Sequence, residues 1–195
     1  MWTRAMHLAH CAMLALLAGC ASPASHFYTL SAVATPAGPA SDLSVVVGPV
    51  SVPASVDRPE IVVTTGANQV QLEEYDRWAS PLQNEISRAV AENLVTMLGT
   101  GRVTQSSHTL GADAGFRAGI EVQKFESVPG VSVTLDAVWT VRRSQGDKSR
   151  TGRTTVREPV SQQGYDALAA AHSRAVASLS KDITDAVLAL AHSGR

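Results

Sequence analysis

The sequence predicts a single α+β domain in which two helices cover a mostly antiparallel sheet. Three observations carry that prediction. Residues 131–141 keep Val131, Val133, Leu135, Ala137, Trp139 and Val141 on one side of a strand without a break. Leu82, Ile86, Val90, Leu94 and Leu98 recur at steps of four, broadened by Ala89 and Met97, as one apolar face of a helix. A second such stripe closes the chain through Leu168, Val176, Leu179, Ile183, Val187 and Leu190. Strands, a helix, a three-strand meander and a last helix are an α+β layering, and no internal repeat or second core interrupts it.

The elements follow in order. Residues 1–19 run from Arg4 through the apolar "HLAHCAMLALLAG" to small residues, the layout of a secretory signal peptide. Extended as a helix, that apolar run reaches about 20 Å, short of the ~30 Å of a bilayer core. Two readings of its end stand: an ordinary cleavage site in "AGCAS", or attachment at Cys20. The tetrapeptide Leu17-Ala18-Gly19-Cys20 resembles the lipobox of bacterial lipoproteins. That resemblance implies cleavage before Cys20, diacylglycerol on its sulfur and acylation of the new amino terminus, and several acyl chains anchor firmly. With Ala21 rather than aspartate after the cysteine, it also implies passage to the outer membrane of a Gram-negative envelope.

Cysteine usage agrees with this. Of the two cysteines, Cys11 lies in the segment removed, so the mature chain holds neither a disulfide nor a thiolate metal site. The same segment carries one of the 16 basic residues and none of the 17 acidic ones, leaving a net charge of −2. A nearly neutral chain excludes nucleic acid as an expected partner. The one basic cluster, "VRRSQGDKSRTGR" at 141–153, reads either as a solvated hairpin tip or as a contact for lipid headgroups or an acidic partner.

Residues 20–42 are expected as the lipidated cysteine and a flexible tether, rich in Ala, Ser, Pro and Gly. "HFYTL" at 26–30 interrupts it and is expected to dock on the domain or to start a strand. The domain proper is expected over 43–192. Residues 43–48 read as a strand buried on both faces, with Pro49 and Pro53 as its exit. Two short strands at about 60–65 and 69–75 flank a Gly66-Ala67-Asn68 turn. The first helix is expected to start with Ser80 as N-cap, Pro81 in the first turn and Gln83 completing a capping box, with Asn84, Glu85, Arg88 and Glu92 facing solvent. Gly99 and Gly101 end it. A short strand at 102–106, a loop over "SSHTLGADAG", alternating strands from Phe116 and Val131, and a polar edge strand over 150–160 complete the meander. The last helix is expected over 165–191.

Chemistry is sparse. The chain has no G-x-S-x-G elbow, no H-E-x-x-H pair, no P-loop and no G-x-G-x-x-G. His26, His108, His172 and His192 are scattered without acidic or cysteine partners at ligand spacing, so no metal, cofactor or catalytic residue is expected. His172 reads as a surface or partly buried histidine and Asp136 as a solvated aspartate. Tyr75, Arg77 and Trp78 precede the capped helix. They read either as local packing, with Trp78 a hydrophobic staple, or as an interface, since Tyr, Arg and Trp are enriched at hot spots.

These pieces carry a more specific likeness. "HFYTL" after a lipobox, Gly48-Pro49-Val50 with Pro53, Asp57-Arg58-Pro59 before a β run, and Arg77-Trp78-Ala79 followed by Pro81-Leu82 resemble the auxiliary lipoproteins of ABC-type transporters, the PqiC/YmbA family. Thr65 stands where that pattern leads one to expect a basic residue. The resemblance implies a non-catalytic, outer-membrane lipoprotein facing the periplasm. It would work with an MCE-domain protein and inner-membrane transporter subunits in moving lipid between membranes and maintaining the envelope, and would assemble as a homo-oligomer. The competing expectation is a lipoprotein that assists assembly of an outer-membrane protein or glycolipid exporter. An anchored hydrolase has no motif in its favour.

Overall fold

A computed structural model describes residues 23–36, 38–106 and 114–193; Cys20, the signal segment and His108 lie outside them. The order of elements is β1 (His26–Tyr28), β2 (Val45–Ser51), β3 (Glu60–Gly66), β4 (Gln69–Trp78), α1 (Leu82–Leu98), β5 (Val103–Gln105), β6 (Phe116–Val128), β7 (Ser132–Arg143), β8 (Ser149–Pro159) and α2 (Tyr165–His192). The expected α+β class holds, and each element expected from the sequence is present.

The strands form two sheets rather than one. The larger runs β5-β2-β6-β7-β8 and the smaller β1-β4-β3. Antiparallel hairpins make up β3–β4 and the β6–β7–β8 meander. Pairing is parallel where β2 meets β5 and β6, and where β1 meets β4. The parallel β2–β5 pair follows from connectivity: the chain leaves β2, makes the β3–β4 hairpin, and returns through α1 to lie beside it. Parallel neighbours need a crossover of this kind. Val45, Val46 and Val47 are buried on both faces of β2, as the continuous valine run indicates.

Pro49, expected from the sequence to mark the exit of β2, lies inside the strand. Pairing shifts register after Val47 and resumes at Val50 opposite Ile120 and Ser51 opposite Glu121. A proline lacks the N–H that a ladder needs, so the strand bends past it and continues.

The start of α1 also differs from expectation. The first helical residue is Leu82 and the cap position is Pro81, whose carbonyl accepts from the Asn84 and Glu85 amides at 2.8 and 3.1 Å. Ser80 lies one residue outside, so no capping box with Gln83 forms. Its hydroxyl instead donates to Glu85 Oε1 at 2.7 Å. Glu85 itself, expected in solvent, is buried. At the other end Gly99 takes the left-handed conformation (φ 59°) and its amide caps the Val95 carbonyl. A Cβ there would stand 2.8 Å from the Ala40 Cα, so both conformation and space require glycine.

Helix α1 packs on β2 and β5, α2 packs on β7 and β8, and the helices touch each other. The smaller sheet leans through β3 on β6. The core between them joins Val45, Ile86, Leu94, Ala118, Leu135, Val176, Leu179 and Ile183, all but free of solvent. Val131 is the one departure in the expected inward face of β7. It lies in the turn before the strand and is exposed, so the buried series begins at Val133. Burial under both helices and the meander of long-range antiparallel pairs account for most of the stabilisation, through apolar area removed from water.

Candidate functional site

The segment leading into the domain is fastened to it at residues 26–34 and again at Ser41. Strand β1 sets His26, Phe27 and Tyr28 beside Asp76, Arg77 and Trp78 of β4. The Tyr28 hydroxyl donates to Asp76 Oδ1 at 2.7 Å, and burial together with that carboxylate pushes the phenol up to about 12. Leu30 is fully buried. Its amide donates to Glu85 Oε2 at 3.0 Å, and its carbonyl accepts from Arg88, which also bonds Glu85 at 2.7 Å. Ser31 N–H donates to Ser173 Oγ at 3.0 Å on α2. The amides of Val33 and Ala34 both donate to Asn93 Oδ1, at 3.1 and 3.0 Å. Asn93, also fully buried, turns its Nδ2 to Ser180 Oγ at 3.2 Å. Ser41 then closes on the end of α1 through the Leu98 and Gly99 carbonyls. Two side chains of α1, Glu85 and Asn93, therefore hold the entering chain two turns apart. Neither was singled out from sequence, because an acid or amide on an amphipathic helix reads as its wet face.

Two grooves flank this seat. One, about 580 Å³, lies between β1 and the first turns of α2, with Phe27, Val33, Ala170, Asp166 and Arg174 at its walls. The other, about 630 Å³, lies at the far ends of both helices, among Leu43, Met97, Leu188 and His192.

The three aromatic and basic residues before α1 do not share one exposed patch. Trp78 is buried and meets Phe125 and His172 edge-on, with centroids 6.1 and 6.2 Å away. Arg77 donates from Nε to the Glu74 carbonyl at 2.8 Å and lies 3.7 Å from Glu60. Tyr75 alone faces outward, on the same strand as exposed Val70 and Leu72. The buried face of this hairpin is supplied by Ile61 and Val63 of β3, which lie opposite Glu73 and Gln71, while Val70 and Leu72 lie opposite Thr64 and Val62.

His172, expected at the surface or partly buried, is wholly buried. One ring nitrogen lies 2.8 Å from Ser127 Oγ, and burial pushes the imidazole down to about 3. A serine beside a histidine is the chemistry of a nucleophile and base, but both side chains are sealed from solvent and the pair has no opening for a substrate. Asp136 is paired rather than merely solvated. Arg153 Nε reaches it at 2.7 Å and holds its carboxyl below the usual range, helped by Thr155. Among the described residues no cluster of three or more His, Cys, Asp or Glu is placed to hold a metal ion. No helix among them is long and apolar enough to cross a membrane.

A family model described as "ABC-type transport auxiliary lipoprotein component" matches residues 28–184. No curated protein matches the chain by sequence. Among solved structures, the protein XCC0632 from Xanthomonas campestris superposes with a TM-score of 0.71 at 18% identity, covering 88% of this chain and all of that one. The crystal structure of an uncharacterized protein superposes at 0.68 with 20% identity, over 84% of this chain and 98% of its own. At such identities these two likenesses speak for the fold alone.

Proposed function

The chain belongs to the ABC-type transport auxiliary lipoprotein family, and from that premise we propose that it is a non-catalytic subunit of an MCE-type system moving lipid across the envelope. In this reading Cys20 carries the acyl anchor in the outer membrane and the domain faces the periplasm. Residues 21–25 join that anchor to β1. The domain acts through contacts with an MCE-domain protein and inner-membrane transporter subunits, with Tyr75 and its exposed neighbours Val70 and Leu72 among the contact residues.

The observation that carries the reading is the fastening of the entering chain. Leu30, Val33 and Ala34 are held by two buried side chains of α1, which gives the entering chain a fixed path onto the domain, as suits a protein that presents one face to its partners. A freely swinging passenger needs no such seat.

The test is lipid labelling and partner capture in the native envelope. Wild type should incorporate palmitate and co-purify with an MCE-domain subunit, and Cys20→Ser should lose both the label and the outer-membrane fraction. Labelling that persists in Cys20→Ser would remove the anchor. Capture of a β-barrel or glycolipid exporter in place of an MCE subunit would replace the transport role with assembly.

A further inference from the structure

The sheet face turned away from the helices carries a cationic strip at one end of the domain. Arg117 of β6 and Arg142 of β7 stand directly opposite in register, both exposed. Like charges in that position destabilise a sheet. Among the described residues no ion pair reaches either guanidinium, although Arg153, further along the same face, is matched by Asp136. Arg143, Lys148 and Arg150 extend the charge around the β7–β8 hairpin, and Asp147 is the single acid within residues 141–150. Beside the arginine pair the face is low: Gly119, Thr140 and Thr151 form the next row, with the two threonine hydroxyls 3.0 Å apart. An arginine pair bordering a flat row of small hydroxyl side chains suits bidentate hydrogen bonding to carboxylates.

The position of the strip narrows what can meet it. Helix α2 starts beside β1, where Tyr28 and Tyr165 pack with centroids 6.1 Å apart. It ends at the cationic hairpin, where Lys148 Nζ donates to the Ser193 carbonyl at 2.6 Å. Its 28 residues span about 42 Å. The chain therefore enters at one end of the domain and the cationic strip lies at the other. Headgroups of the membrane that holds the amino terminus are at the wrong end to neutralise it.

We propose that the Arg117–Arg142 strip is a docking surface for an acidic protein surface of the transporter, presented away from the anchoring membrane. The inference rests on the transport reading above and adds to it the contact face and its chemistry. Repulsion between the two arginines in the free protein is relieved when carboxylates arrive, so the strip trades fold stability for complementarity.

The test uses the full-length acylated chain in detergent with the purified periplasmic part of the MCE-domain subunit as probe. Arg117→Glu with Arg142→Glu should weaken binding at least about tenfold and remove its salt dependence, whereas Arg→Lys at both positions should keep the salt dependence and lose part of the affinity, because an ammonium lacks the bidentate fork. Arg142→Thr alone should weaken binding yet melt no lower than wild type, because it removes the like-charge pair; that combination separates docking from a structural role. Equal binding by wild type and the double Glu variant would overturn the docking face while leaving the transport reading intact. No binding by wild type would overturn the transport reading and the docking face with it. Charge-dependent binding to vesicles of phosphatidylglycerol and phosphatidylethanolamine, lost in the double Glu variant, would assign the strip to lipid and overturn the protein partner.

Discussion

The imidazole of His172 lies flat against the Phe125 ring, with centroids 3.8 Å apart and 7° between the planes. Trp78 closes over the pair edge-on, so α2, β6 and β4 meet at one dry junction. A ring stacked in this way stays neutral, since burial disfavours its charged form.

That junction sets an acid limit on the fold. Unfolded, the imidazole titrates near 6.5; folded, it is pushed down to about 3. As pH drops through this window the unfolded chain takes up a proton that the folded one refuses. Stability therefore falls on acidification, by up to about 1.4 kcal/mol per pH unit. His172→Gln keeps a donor for Ser127 and loses the titration. Urea melts from pH 7 to 4.5 should show a shallower decline in the variant, and parallel declines would reject the assignment.

Glu85→Ala strips an acceptor from the Leu30 amide, the Ser80 hydroxyl and Arg88 together. Loss of about 2–3 kcal/mol is expected, because hydrogen bonds to a buried charge are among the stronger ones. The readouts are a urea midpoint and faster proteolysis within residues 23–36. Ser80→Ala, which leaves the other two bonds, should cost about 1 kcal/mol.

Asn93→Ala leaves the Val33 and Ala34 amides without their acceptor and should cost about 2 kcal/mol. Glu85 and Asn93 hold one segment. Once the first substitution frees it, the second has less to lose, so a double variant should fall short of additivity by about 1 kcal/mol. Strict additivity in denaturation would show that the two contacts break independently.

Gly152 lies under the Trp139 indole, where a Cβ would come within 2.6 Å of Cη2. The indole is pinned from the other side as well, its Nε1–H donating to Thr154 Oγ1 at 3.0 Å. Gly152→Ala should therefore destabilise by about 1–3 kcal/mol and shift tryptophan emission to the red. An unchanged melt would mean that the ring has somewhere to go.

What the sequence makes legible here is whatever repeats. The alternation from Val133 to Val141, the four-residue step of α1 and the αL glycine at 99 are local patterns, and each lies where the pattern places it. The seat of the entering chain is not legible, because Glu85 and Asn93 are polar residues whose burial is decided by a segment some sixty positions earlier in the chain. The split into two sheets is equally hidden. Alternation tells which side of a strand faces inward but not which neighbour it pairs with, and parallel pairing of β2 depends on the whole β3–α1 excursion. Ser80 shows the same limit at short range. Its hydroxyl had a backbone amide and a buried carboxylate to choose from, and only the folded chain reveals the carboxylate.

The clasp on Leu30 also has a mechanical meaning. Tension applied to the chain ahead of His26 first meets the β1–β4 pairs, then the Leu30 amide and carbonyl held by Glu85 and Arg88. From there it passes along α1, whose apolar face is bedded on β2 and β5. A tug at the amino terminus is thus spread over the best-packed part of the molecule before it can peel anything away. The entering stretch, from β1 through Leu30, is a strut rather than a loose lead-in.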